Sequence, residues 1–135
     1  MPRVFADAAH YIAILIPSDS LHNHALETAN RLHDTDVVTT DPVLVEVLTF
    51  VAELGPHIRE RGLALVERVM ADGRTTVVPQ THALFLSGLD LYRRRLDKGY
   101  SLTDCMSMVV CADLGIAEVL SHDHHFEQEG FAILL

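Results

Sequence analysis

The pattern of apolar and polar residues predicts several short strands separated by helices. Runs rich in β-branched and other apolar residues cover positions 3–6, 37–40, 75–78, 118–121 and 131–135. Segments with helical periodicity, or with helix start and stop signals, lie between these runs. This alternation favours an α/β fold in which helices flank a parallel central sheet of four to five strands, in a Rossmann-like three-layer arrangement.

Residues at the predicted helix ends support this assignment. Helices are predicted at about 12–16, 20–32, 42–54, 58–70, 81–97 and 103–114. Asp41 and Pro42 supply N-cap and N1 chemistry after the second strand, and Gly115 ends the last of these helices. No linker, repeat or low-complexity tract divides the chain, so we expect one domain over residues 1–135.

Charge and cysteine content narrow the possible classes of protein. The 135 residues carry a formal net charge of −9, which excludes binding a long nucleic acid by bulk positive charge. Cys105 and Cys111 have neither CxxC nor zinc-ligand spacing, and we expect buried free thiols. The longest apolar run is too short to span a membrane, and no signal-peptide core is evident. These features predict a soluble, cytoplasmic protein without a membrane partner.

Four acidic residues lie beside apolar residues, so their positions are not those of acids on a solvent-exposed helix face. Asp7 and Asp123 end the first and fourth strands, Glu46 lies in an apolar helix after the second strand, and Asp104 begins an apolar helix. Right-handed crossovers bring the carboxyl ends of parallel strands to one edge, where such folds bind ligands. Crowded carboxylates repel one another unless cations bind, and all-oxygen sites suit Mg²⁺ or Mn²⁺. We therefore predict a metal site at this edge.

Four short motifs in order resemble those of PIN-domain ribonucleases, and most closely those of the VapC toxins of bacterial toxin–antitoxin pairs. The motifs span nearly the whole chain. They are Val-Phe-Ala-Asp7 followed by Tyr11-Ile12-Ala13, Leu44-Val45-Glu46-Val47, Tyr100-Ser101-Leu102-Thr103-Asp104-Cys105, and Ser121-His122-Asp123-His124-His125-Phe126 with Gly130-Phe131.

The resemblance implies a PIN-like domain with metal-dependent ribonuclease activity. Asp7, Glu46, Asp104 and Asp123 would hold Mg²⁺ or Mn²⁺, with Asp7 and Asp104 as the principal ligands. Metal-activated water would cut single-stranded or looped RNA and leave a 5′-phosphate and a 3′-hydroxyl. A cognate antitoxin protein would be the partner.

One departure leaves alternatives open. Many relatives carry a hydroxyl residue just after the first aspartate, where this chain has Ala8 and Ala9. Loss of that hydroxyl would alter metal geometry or activity. A non-catalytic PIN-like module that binds RNA or protein therefore remains an alternative. A housekeeping RNA-processing nuclease, which would use the same chemistry and differ only in regulation, is another. A dinucleotide-binding domain is excluded because the GxGxxG motif is missing after the first strand.

Three further groups of residues are secondary candidates. His122, His124 and His125 flank Asp123, and we expect packing or capping rather than metal binding from them. The basic segment around Arg95 offers possible RNA contacts, which are Arg93, Arg94, Lys98 and Ser101. Leucines lie around much of the predicted helix 81–97, which also carries these arginines. An antitoxin groove or the interface of a homodimer would account for them.

Overall fold

A five-stranded parallel sheet forms the centre of the computed structural model, which describes residues 2–135. The strand order is β3-β2-β1-β4-β5, and every neighbouring pair is parallel. The strands are β1 (Arg3–Ala6), β2 (Asp36–Thr40), β3 (Thr75–Val78), β4 (Glu118–Leu120) and β5 (Ala132–Ile133). The α/β prediction is confirmed, although β5 is shorter than the apolar run that predicted it.

Seven helices connect and flank these strands within residues 2–135. They are α1 (Ala8–Leu15), α2 (His22–Arg31), α3 (Asp41–Val51), α4 (Pro56–Ala71), α5 (His82–Arg94), α6 (Leu102–Leu114) and α7 (His124–Gln128). The sequence did not predict α7, because five residues are too few to show a helical period.

Helices α2 and α4 begin two residues from their predicted starts, and α5 ends at Arg94 rather than at residue 97. Two further differences, at the starts of α1 and α3, bear on the site. Helix α1 begins directly after Asp7 rather than near residue 12. The N-cap of α3 is Thr40, whose hydroxyl accepts the N–H of Val43 at 3.1 Å, so Asp41 already lies inside the first turn. Both helices therefore begin at the carboxyl ends of their strands, and this brings Asp7 and the start of α3 to the same edge of the sheet.

The core packs against β1, the central strand, and against its neighbours β2 and β4. Phe5 of β1, Val119 of β4 and Phe126 of α7 are fully buried. Cys105 and Cys111 are buried free thiols, as predicted. No helix within residues 2–135 combines the length and the apolar character needed to cross a membrane.

Helices α5 and α6 cross at a glycine. A Cβ atom added at Gly88 would lie 2.6 Å from Met106 Cγ and 3.3 Å from the Met106 backbone nitrogen. The absence of a side chain at Gly88 therefore permits the close approach of α5 to α6, the helix that carries Asp104.

Candidate metal centre

The structure brings all four predicted acidic residues to one cavity. Asp7 follows β1, Glu46 lies in α3, Asp104 lies in the first turn of α6, and Asp123 caps α7 after β4. Together they line a cavity of about 620 Å³ at the carboxyl edge of the sheet. Residues distant in the sequence meet here because β1 and β4 are neighbours, and the Asp7 N–H donates to the Leu120 carbonyl oxygen at 3.2 Å.

Asp7 is the most buried of the four carboxylates, with 6% of its surface exposed. Its pKa is raised to about 6, chiefly by burial and also by the nearby Asp104 charge, while a hydrogen bond from Ser121 opposes the increase. That bond runs from Ser121 Oγ to Asp7 Oδ2 over 3.0 Å. Ser121 belongs to the fourth motif but was not predicted as a site residue, although its place at the end of an apolar strand, two residues before Asp123, could have indicated this contact.

Glu46 approaches the cavity from α3. Its pKa is raised to about 7, first by partial burial and then by the negative charges of Asp7, Asp104 and Asp123. Glu46 thus lies within electrostatic reach of the other three acids, as the sequence predicted.

Asp104 is oriented by a reciprocal capping box. Its side chain accepts the N–H of Ser101 at 3.1 Å, and its own N–H donates to Ser101 Oγ at 3.0 Å. Burial raises the pKa of Asp104, while the bond from Ser101 lowers it and the Asp123 charge raises it. The hydroxyl of Ser101, one of the candidate RNA contacts, is thus an N-cap acceptor.

The imidazole of His125 lies against two of the acids. Its Nδ1 is 3.3 Å from Asp104 Oδ2 and 3.2 Å from Asp123 Oδ1. These three ligand atoms all lie within 4.8 Å of one another. The expectation that His125 only packs or caps did not anticipate this contact, which depends on α7 turning the ring back toward α6.

Contacts on the other side of the ring hold His125 in place. Tyr100 packs against it with ring centroids 5.5 Å apart. The Tyr100 hydroxyl donates to Glu129 at 3.0 Å, and Arg95 binds both carboxylate oxygens of Glu129 at 2.9 and 3.1 Å. Arg95 therefore ties the end of α5 to the end of α7.

The other basic residues of this segment lie outside the cavity lining. Arg93 and Arg94 form ion pairs with Asp90 on the surface of α5. Lys98 Nζ lies 3.5 Å from Asp97 Oδ2, and none of these residues lines the cavity. RNA contact by Arg93, Arg94, Lys98 and Ser101 stays a prediction.

The donor set fits a hard divalent cation. Four carboxyl groups face one cavity, and burial and mutual repulsion raise the pKa of Asp7, Glu46 and Asp104. A bound cation would relieve this repulsion, and oxygen donors are the ligands that Mg²⁺ and Mn²⁺ accept. The residues present therefore suit the predicted ion.

Comparisons with solved structures show the same fold in other proteins. The chain is similar to Mycobacterium tuberculosis VapC20, described as a sarcin–ricin loop cleaving toxin, with 22% identity, 96% of each chain covered and a TM-score of 0.82. FitAcB from Neisseria gonorrhoeae shares 17% identity over 98% of this chain and 96% of that one, with a TM-score of 0.67. VapBC2 from Rickettsia felis, bound to a promoter DNA fragment, shares 9% identity over 97% of this chain and 96% of that one, with a TM-score of 0.66.

At these identities the solved structures show a shared fold. A comparison with curated proteins finds no significant match. The family assignment comes from the sequence, because the PIN-domain model matches residues 4–131. This match covers nearly the whole chain, and the chain therefore belongs to the PIN-domain family.

Proposed function

We propose that this protein is a metal-dependent endoribonuclease and the toxin of a toxin–antitoxin pair. The observation that carries the proposal is the convergence of Asp7, Glu46, Asp104 and Asp123 on one cavity at the carboxyl edge of the sheet. Membership of the PIN-domain family supports a nuclease, and the fold shared with VapC20, named a toxin, supports the biological role.

Each acid has a proposed role in holding Mg²⁺ or Mn²⁺. Asp7 and Asp104 are the principal ligands, because both are buried and fixed by hydrogen bonds from Ser121 and Ser101. Glu46 and Asp123 complete the site or orient the attacking water. A bound divalent ion makes water a stronger nucleophile at neutral pH and stabilises the charge that develops on a phosphodiester. The products are a 5′-phosphate and a 3′-hydroxyl.

The proposed substrate is single-stranded or looped RNA. Within residues 2–135, neither lysine nor arginine lines the cavity. The positive charge that meets the scissile phosphate would therefore come from the bound metal ion rather than from a lysine or arginine. Phe50 lies one turn beyond Glu46 on α3, is 49% exposed and lines the same cavity. An exposed aromatic ring beside the metal site suits stacking with an unpaired base.

The proposed partners are a cognate antitoxin and a second copy of the chain, in the cytoplasm. The cavity is acidic, so an antitoxin segment that carries basic side chains would complement it. Leu86 on α5 remains half exposed, which leaves apolar surface for a homodimer or for the antitoxin.

Cleavage of RNA by the purified protein tests the nuclease proposal. We expect cutting that requires Mg²⁺ or Mn²⁺, stops with EDTA, and is lost in Asp7→Asn and Asp104→Asn. Asp113→Asn is the matched control, because Asp113 lies exposed on the same helix as Asp104 but outside the cavity. Equal cleavage by the wild type and both site variants would refute the assignment.

Expression of the chain alone tests the toxin role separately. We expect growth to slow with the wild type but not with Asp7→Asn at the same soluble level. Normal growth with active, soluble wild-type protein would instead favour an RNA-processing nuclease. A folded protein that binds RNA without cutting it would favour the non-catalytic alternative.

A further inference from the structure

We propose that His125 is itself a ligand of the bound ion and gives the centre a preference for Mn²⁺ over Mg²⁺. The inference rests on the metal site of the proposed function, but it concerns the ligand set and the choice of ion rather than the reaction. It adds a nitrogen donor to a site that the sequence predicted as oxygen only.

The first support is the spacing of the donor atoms. Nδ1 of His125 lies 3.3 Å from Asp104 Oδ2 and 3.2 Å from Asp123 Oδ1. Charge-assisted hydrogen bonds between such groups are usually shorter, at about 2.7–2.9 Å. Adjacent ligands of an octahedral ion with bonds of about 2.1 Å stand roughly 3 Å apart. The observed separations are therefore closer to those of ligands that share one ion.

The second support is the way the ring is fixed. A Cβ atom added at Gly99 would lie 3.2 Å from His125 Nε2, so that nitrogen faces the backbone while Nδ1 faces the carboxylates. Tyr100 packs on the ring and is anchored through Glu129 to Arg95. Outer contacts of this kind orient the histidine ligands of metal sites.

The choice of ion follows from the chemistry of the donor. Mg²⁺ is a hard ion that keeps oxygen ligands and several waters, whereas transition metals accept imidazole nitrogen. A site of two aspartates and one histidine therefore gains more affinity for Mn²⁺ than for Mg²⁺. Glu46 and Asp7, which line the same cavity, remain oxygen donors for either ion.

Pulsed electron paramagnetic resonance of the Mn²⁺-loaded protein tests the inference directly, because it detects coordinated ¹⁴N. We expect nitrogen coupling in the wild type and its loss in His125→Ala and His125→Gln. His124→Ala is the matched control, since its imidazole contacts Glu127 rather than the acids of the site. Circular dichroism confirms that each variant is folded, and Gly99→Ala gives a milder displacement of the same ring.

Direct binding measurements give the second readout. We expect at least tenfold tighter binding of Mn²⁺ than of Mg²⁺, with the preference falling below threefold in His125→Ala and unchanged in His124→Ala. Wild-type protein that does not bind Mn²⁺, that binds it without nitrogen coupling, or that keeps the coupling in folded His125→Ala would overturn the inference. Nitrogen-coordinated Mn²⁺ without RNA cleavage would instead refute the proposed function and leave this inference standing.

Discussion

Ser121 Oγ donates a hydrogen bond to Asp7 Oδ2 over 3.0 Å, so the end of β4 supports the carboxylate at the end of β1. Ser121 is fully buried, and its oxygen also accepts the N–H of Asp123 at 3.0 Å. A hydroxyl is absent at Ala8 and Ala9, where many relatives carry one. Ser121 instead brings a hydroxyl to the first aspartate from the residue that follows β4.

Removing this hydroxyl should weaken both the fold and the metal site. Ser121→Ala leaves a buried carboxylate without its donor, which should lower the free energy of unfolding by about 1–3 kcal/mol. It should also raise the pKa of Asp7 further and weaken Mn²⁺ binding at neutral pH. Urea unfolding and metal titration measure the two effects. Ser107→Ala is the control, because the equally buried Ser107 hydroxyl has no hydrogen-bond partner among residues 2–135.

The acidic cavity should make the metal-free protein less stable as the pH rises. The pKa of Asp7 is about 6 in the folded protein and about 4 in an unfolded chain, so the unfolded state releases its proton first. Stability is therefore lost between pH 4 and pH 6, by up to about 3 kcal/mol. Urea unfolding without metal should show this loss in the wild type relative to Asp7→Asn, and saturating Mn²⁺ should reverse it. An identical pH dependence in both proteins would contradict the prediction.

Burial of His10 should have the opposite effect and make the protein less stable as the pH falls. Burial lowers its pKa to about 4, from about 6.5 in an unfolded chain, and its Nδ1 has no hydrogen-bond partner among residues 2–135. The unfolded state takes up the proton first, so acidification from pH 6.5 to pH 4 should cost up to about 3 kcal/mol. His10→Phe should remove this acid sensitivity in urea unfolding, whereas the exposed His33→Ala should not.

The crossing of α5 and α6 should not accept a side chain at Gly88. Gly88→Ala pushes against Met106, and the strain should outweigh the better helix propensity of alanine and cost about 1–3 kcal/mol. Because Asp104 lies half a turn before Met106, Mn²⁺ affinity should fall as well. Gly73→Ala is the control, since no atom lies within 4 Å of a Cβ added there. Unchanged unfolding and metal affinity in Gly88→Ala would show that the helices can separate freely.

Phe50 should affect the use of RNA but not the fold. Stacking on an unpaired base contributes about 1–3 kcal/mol, so Phe50→Ala should raise KM roughly 5- to 160-fold with little change in kcat. Steady-state cleavage of a short RNA measures this. Leu54→Ala, another half-exposed apolar residue just after α3, should leave KM unchanged. A fall in antitoxin affinity alone would assign the ring to the partner instead.

Much of the fold and the positions of the four acids could be predicted from the sequence. Apolar runs located β1 to β4, and the topology of parallel sheets then required Asp7 and Asp123 to meet at one edge. Glu46 and Asp104 were conspicuous because each lies in an apolar helix. The start of α3 was misplaced by one residue, since Thr40 and Asp41 are both good N-caps and only the tertiary structure selects between them.

The supporting contacts could not be predicted in the same way. The positions of Ser121 and His125 depend on side-chain directions at a strand end and in a five-residue helix, and neither has a periodic signal. The pairing of Arg95 with Glu129 joins the ends of α5 and α7, which are far apart in the sequence. A cluster of arginines suggested RNA contact, but one of them is used to hold Tyr100 and thereby the ring of His125.

The pairing of β1 with β4 also sets when the cavity can form during synthesis. Ser121 follows Asp7 by 114 residues, so the chain contains Asp7 long before Ser121 and Asp123 are made. Until β4 docks beside β1, the carboxylate of Asp7 has neither its hydroxyl donor nor its neighbouring acid. A chain that lacks β4 and the residues that follow it therefore cannot assemble the cavity, even though Asp7, Glu46 and Asp104 are all present.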